Sequence, residues 1–141
     1  MTKIDFYVMS GGGPDDALQI VCRLTEKALK AGTVYLHCQD KLQAATLHEK
    51  LWSFRPDAFI PHEQHSGTMP KEPVVIGYQE PPESFHEILI NLAIETPPVF
   101  ARFERLLEVV PAEHDARGAS REKYRFYKDR GYPLETHDIN P

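Results

Sequence analysis

The stretch Lys3-Ile-Asp-Phe-Tyr-Val-Met9, followed by Ser10-Gly-Gly-Gly-Pro-Asp-Asp-Ala-Leu-Gln-Ile-Val-Cys-Arg-Leu24, decides how the chain is read. Residues 3–9 form a short apolar run of the kind that makes a buried strand. Three glycines then turn the chain. From Pro14 to about Ala31 the apolar positions Ala17, Ile20, Val21, Leu24 and Ala28 recur at helical spacing, and Gly32 stops the pattern. Strand, glycine turn and helix follow one another in this order in nucleotide-binding α/β proteins. The first question is therefore whether the loop cradles a phosphate.

Its residues argue that it does not. Read from Gly11, the dinucleotide fingerprint Gly-x-Gly-x-x-Gly gives Gly11, Gly13 and then Asp16, and no Gly-Lys-Ser/Thr follows for a Walker loop. Asp15 and Asp16 fall in the first helical turn, where carboxylates complement the helix dipole and would repel a phosphate. The glycines let the chain turn, Pro14 opens the helix, and the acids cap it.

Outward from this unit the alternation continues. Residues 33–38 (TVYLHC) read as a second buried strand. Asp40 is an N-cap for a helix whose periodicity sends Leu42, Ala45, Leu51 and Trp52 toward the core. A short strand is expected at about 58–60, and an exposed connecting loop over 61–73. Strands at 74–78 and 87–93 follow, then a short helix around 99–104 and a last strand at 105–110. A final helix covers about 112–130. This order predicts a three-layer α/β domain spanning 1–141, with a mainly parallel sheet and helices on both faces. The architecture is nucleotide-binding-like, without a nucleotide site.

The chain has 141 residues, 41% of them apolar and 26% charged, which suits an ordinary globular domain. No apolar run approaches the ~20 residues of a membrane span, and the N-terminus lacks a signal pattern. The expectation is a cytoplasmic protein without membrane association. Cys22 and Cys38 have the spacing of neither a disulfide framework nor a zinc knuckle, so they read as buried free thiols. His62 and His65 make half a zinc site in a solvated loop. His37 and Cys38 are adjacent on a strand and point to opposite faces, and His86 and His114 have no evident partners. No catalytic residue, metal or cofactor is expected. The competing reading is a nucleotide-dependent or hydrolytic α/β enzyme using the Gly11–Gly13 loop with Cys38 or His37.

The net charge of −5 argues against broad, charge-driven DNA binding. It conceals an asymmetry. Arg117, Arg121, Lys123, Arg125, Lys128 and Arg130 face only Glu122 and Asp129 in the segment 117–130, which is +4 while the remainder is −9. On a helix stepping about 100° per residue, Arg121, Tyr124 and Lys128 fall within about 40° of Arg117, with Arg125 nearby. Ala116, Ala119, Phe126 and Tyr127 lie opposite, toward the sheet, interrupted by Lys123 and Arg130. Such a face can be plain solvated surface. Guanidinium groups around a phenol ring also suit a peptide ending in a free carboxylate with an aromatic or apolar last residue.

The ordered segments DFYV, KAGTVYLHCQD, LWSFRPDAFIPH, ILINL, EVVP and SREKYRFYKDRGY together resemble the chi subunit family of bacterial DNA polymerase III. The resemblance runs from Phe6 to about Tyr132, leaving out the 62–73 loop and the tail after Tyr132. It implies a non-catalytic clamp-loader adaptor that binds the acidic C-terminal tail of single-stranded DNA-binding protein and meets DNA only indirectly. Carried over by position, Arg121 would grip the tail's terminal carboxylate, and Val110 and Tyr124 would shape the pocket for its last side chain. Arg117 would attract the tail's aspartates, with Lys128 on the same face. The resemblance also implies a second surface at Trp52, Phe59 and Pro61 for the psi subunit or, in its place, a repair helicase.

Overall fold

A computed structural model describes residues 1–57 and 59–140. Among these, seven strands form one sheet: β1 (Lys3–Met9), β2 (Val34–His37), β3 (His62–Gln64), β4 (Val74–Gly77), β5 (Ile88–Asn91), β6 (Arg105–Val110) and β7 (Leu134–Ile139). Every pairing is parallel, in the order β3-β4-β2-β5-β6-β1-β7. The helices are α1 (Pro14–Ala28), α2 (Lys41–Ser53) and α3 (His114–Asp129). β2, β4 and β5 are buried along their whole length, which is why they read as unbroken apolar runs.

Two cores sandwich the sheet. One packs Leu18, Val21 and Cys22 of α1 and Ala44, Leu47 and Leu51 of α2 against Val34, Leu36, Val74 and Ile90. The other packs Tyr127 of α3 and the loop residues Phe85 and Phe103 against Ile4, Phe6, Leu89 and Val110. Connections running toward β3 (through α1 and α2) use the first face, and α3, running toward β7, uses the second. A shared crossover hand produces this split.

The predicted elements hold in the main, with four corrections. Helix α2 is capped by Asp40, whose carboxylate accepts from Gln43 N at 2.8 Å, but it turns a different stripe inward. Leu51 is buried as expected, but its companions are Ala44 and Leu47, whereas Leu42 (77% exposed), Ala45 and Trp52 face outward. Both stripes have helical spacing, and contact with Phe54 and Ile60 selects between them. Of the strand expected at 58–60, Ala58 lies outside the described residues, and Phe59 and Ile60 are irregular. The strand instead occupies His62–Gln64, inside the expected loop, with His62 in register with Val74. The helix around 99–104 is a single 3-10 turn, Phe100–Arg102, entered through Val99 at φ 51°. Finally, β6 is not the last strand. The half-exposed, polar β7 adds to the free side of β1, Leu134 beside Ile4 and Thr136 beside Phe6.

Candidate functional site

The position of α3 over the sheet is set by a buried polar network. Lys123 Nζ donates to Glu108 Oε1 at 2.7 Å and to Ala93 O at 3.1 Å. Tyr127 Oη donates to Glu108 Oε2 at 2.7 Å, and Asn91 Nδ2 reaches Oε1 at 2.9 Å. Burial and the adjacent Glu108 carboxylate push the Tyr127 phenol well above its usual range, so it stays a donor. Lys123 therefore does not interrupt the inward arc of the helix but anchors it. The second interruption, Arg130, is exposed and lies over the Phe126 ring at 3.6 Å.

With Ser120, Lys123 and Tyr127 pointing inward, the outward direction shifts by roughly 80° from the one read off the sequence. Arg121, Arg125 and Lys128 remain on the crest. Arg117 and Tyr124 move to the seam between α3 and β1. Arg117 Nη2 donates to Met9 O at 3.1 Å, and the Tyr124 ring, 37% exposed, leans on Phe6 with centroids 5.5 Å apart. Arg121 sits one helical turn from each. Among the described residues, Arg121 and Lys128 engage no carboxylate, and Arg125 reaches Glu122 only at 3.9 Å. Val110 ends β6 beside Val8 of β1 and is buried. Three of the five positions expected to meet a tail, Val110, Arg117 and Tyr124, thus adjoin β1, at Val8, Met9 and Phe6. Those three β1 residues read as plain strand in the sequence, not as neighbours of the basic helix. Alternation in Phe6-Tyr-Val-Met9 separates two faces, but nothing local says which of them meets α3.

The glycine loop is closed on itself. Asp16 Oδ2 accepts from Gly13 N at 2.8 Å, and Asp15 pairs with Lys50 Nζ of α2 at 2.9 Å. Gly12 has φ 91°, and a Cβ there would fall 2.7 Å from Asp16 Oδ2. A cleft of about 370 Å³ opens beside it at the C-terminal ends of the strands, where nucleotide folds hold their ligand, lined by Gly13, Pro14, Leu18, Leu92 and Val109. Neighbouring backbone donors are also taken by the protein's own side chains: Gln39 N by Gln43 Oε1, and Ile94 N by Gln39 Oε1.

The enzyme reading finds no activated group at Cys38 or His37. Burial pushes the Cys38 thiol up to about 12 and holds His37 below its usual range, so the pair is a thiol beside a neutral imidazole. Cys22 is likewise buried and raised to about 12. His62 and His65 separate to opposite faces of the sheet. His62 packs against His48 and Trp52 of α2, and His65 against Tyr35. The solvated-loop reading of this pair is corrected for His62, which is buried. Asp5, Glu135 and His137 bring ligand-type atoms within 4.8 Å of one another. The Asp5 carboxylate there already accepts from Arg105 and His137, both at 3.0 Å, and a cation would meet the guanidinium.

On the opposite face, Trp52 (54% exposed) and Phe59 (70% exposed) stand with ring centroids 5.7 Å apart. Pro61 is half-buried beside them in the chain.

The fold and these two surfaces define a parallel, three-layer α/β protein whose exposed chemistry is a basic helix edge and an aromatic pair. The family model for the DNA polymerase III chi subunit, HolC, matches residues 1–135, and the chain belongs to that family, with an accessory role in DNA replication. It is 46% identical over 140 residues to the DNA polymerase III subunit chi of Pseudomonas aeruginosa, covering 99% of this chain and 98% of that one. It is 30% identical over 144 residues to the subunit of the same name from Escherichia coli, covering 96% and 97%.

Proposed function

We propose that this protein is a non-catalytic adaptor that captures the acidic C-terminal tail of single-stranded DNA-binding protein on the α3–β1 seam. The observation that carries the reading is the α3 edge of a chi-family chain. There Arg121 stands uncommitted, one turn from a half-exposed Tyr124 that rests on Phe6. A guanidinium without a carboxylate partner can take a terminal carboxylate bidentately, and the phenol and the apolar ends of β1 and β6 receive the last side chain. Lys128 on the crest, and Arg117 at the seam, supply the field for the tail's aspartates. DNA is then met only through the tail's parent protein.

The test is calorimetric titration with a peptide ending Asp-Ile-Pro-Phe with a free carboxylate. Arg121→Ala should weaken binding by roughly 2–5 kcal/mol, the cost of stranding a desolvated carboxylate. Amidating the peptide should cost a similar amount, and added salt should weaken binding through the aspartates. Unchanged affinity in Arg121→Ala would sink the assignment.

The exposed Trp52–Phe59 pair, with Pro61, supports a second contact, with the psi subunit or with a repair helicase in its place. Exposed aromatic pairs of this kind make interface anchors. Loss of psi capture in Trp52→Ala, with tail binding intact, would separate the two surfaces.

A further inference from the structure

Trp52 is held by two histidines. Its indole Nε1–H donates to His48 Nε2, one helical turn earlier, at 3.4 Å. His62 lies against the indole with centroids 4.9 Å apart, and the two imidazoles are also 4.9 Å apart. His62 Nδ1 is 2.6 Å from Ile60 O.

These contacts dictate the tautomers. A carbonyl accepts only, so His62 carries a proton on Nδ1. An indole donates only, so neutral His48 carries its proton on Nδ1. The nitrogens left over, His48 Nδ1 and His62 Nε2, are both buried and have no partner among the described residues. The group is thus anchored at both ends, the indole on His48 and His62 on the Ile60 carbonyl, and the two imidazoles meet edge to face between them.

We propose that His48 and His62 are positioning residues for Trp52, which hold the indole in one orientation while His48 is neutral and release it when His48 takes up a proton. A doubly protonated imidazole cannot accept the indole N–H, and the new charge would sit against the His62 ring. The surroundings offer it little compensation. Burial and the neighbouring His62 hold His48 below its ordinary value of 6.5, against a smaller opposite pull from Glu49 on the same helix. The α1 acids facing α2 and its C-terminal end are taken, Asp15 by Lys50 and Glu26 by Arg55. The surface at Trp52 and Phe59 is thereby pre-organised at neutral pH and loosened by mild acid. That consequence for a partner rests on reading Trp52 as a contact surface, whereas the positioning itself does not.

Trp52 is the only tryptophan of the chain, so intrinsic fluorescence of the intact protein reports it alone and needs no partner. The wild type should show one sigmoidal change in emission, with its midpoint below 6.5. His48→Gln, which keeps an acceptor but does not titrate, should remove that step while leaving far-UV dichroism unchanged. An emission that does not vary with pH, or a His48→Gln protein that titrates like the wild type, overturns the proposal. Imidazole nitrogen shifts of the unmutated protein give a second readout: His48 protonated on Nε2 at neutral pH would overturn it as well. Failure of psi to bind would leave these results untouched, so the two readings fail separately.

Discussion

The ammonium of Lys123 lies 2.7 Å from the carboxylate of Glu108, with both groups buried between α3 and β6. This pair, with Tyr127 and Asn91 completing its hydrogen bonds, fixes the rotation of α3. It thereby decides that Arg121 stands on the crest while Arg117 and Tyr124 turn to the seam with β1. Each ion alone would be costly to bury, so the arrangement depends on both partners being present.

Lys123→Met removes one partner and strands the Glu108 charge. Urea unfolding should show a loss of roughly 3–5 kcal/mol. Replacing both, as Glu108→Leu with Lys123→Met, should recover part of that loss. A single variant as stable as wild type would contradict the network.

Gly12 is needed for its conformation and for space. At φ 91° an L side chain is strained, and its Cβ would crowd the Asp16 carboxylate that caps α1. Gly12→Ala should lower stability by about 1–2 kcal/mol, visible as a lower melting temperature. Gly11→Ala, where a Cβ meets nothing within 4 Å, should be far milder.

Asp5 ties β1 to β6 and β7. Burial works against its ionisation, but hydrogen bonds from His137 and Arg105 outweigh that and hold the carboxyl below its ordinary 3.8. A carboxyl depressed in the folded state contributes stability above its unfolded value, and that contribution is lost as the pH falls through the folded value. The stability difference between wild type and Asp5→Asn should thus be steady well above 3.8 and shrink as the pH is lowered below it. Unfolding curves across this range check it, and a difference that grows with acid would contradict the sign.

Cys22 and Cys38 should be inert in the native protein. With both thiols pushed up to about 12 by burial, alkylation at neutral pH should wait for unfolding and become fast in denaturant. Mass spectrometry of partially alkylated native protein would reveal an exception.

Much of this architecture is legible in the chain itself. The runs at β1, β2, β4, β5 and β6 are apolar because both faces of a parallel sheet are covered, and that signal is local. The caps are local too: Asp40 and Asp16 bond to amides three residues away. The basic character of 117–130 needed only counting. Other features carried weaker marks. Glu108 inside a buried strand and Lys123 on the inward arc of a helix were each visible as an anomaly, and pairing them would have given the phase of α3. β7 was missed because an edge strand with one exposed side needs few apolar residues, and Leu134-Glu-Thr-His-Asp-Ile139 has only two.

By itself, then, the sequence determined the five apolar strands of the sheet, the closure of the glycine loop by its own acids, and the presence of a basic helix near the end of the chain. Those properties depend on residue type and on neighbours within one or two turns. Only the tertiary structure decided the direction each helix faces, since α2 and α3 both carry more than one stripe of helical period. Burial of Leu47 rather than Leu42 left Trp52 at the surface between two histidines, and burial of Lys123 on Glu108 turned Tyr124 onto Phe6. Periodicity defines a face, and contact with residues distant in the chain selects which one is buried.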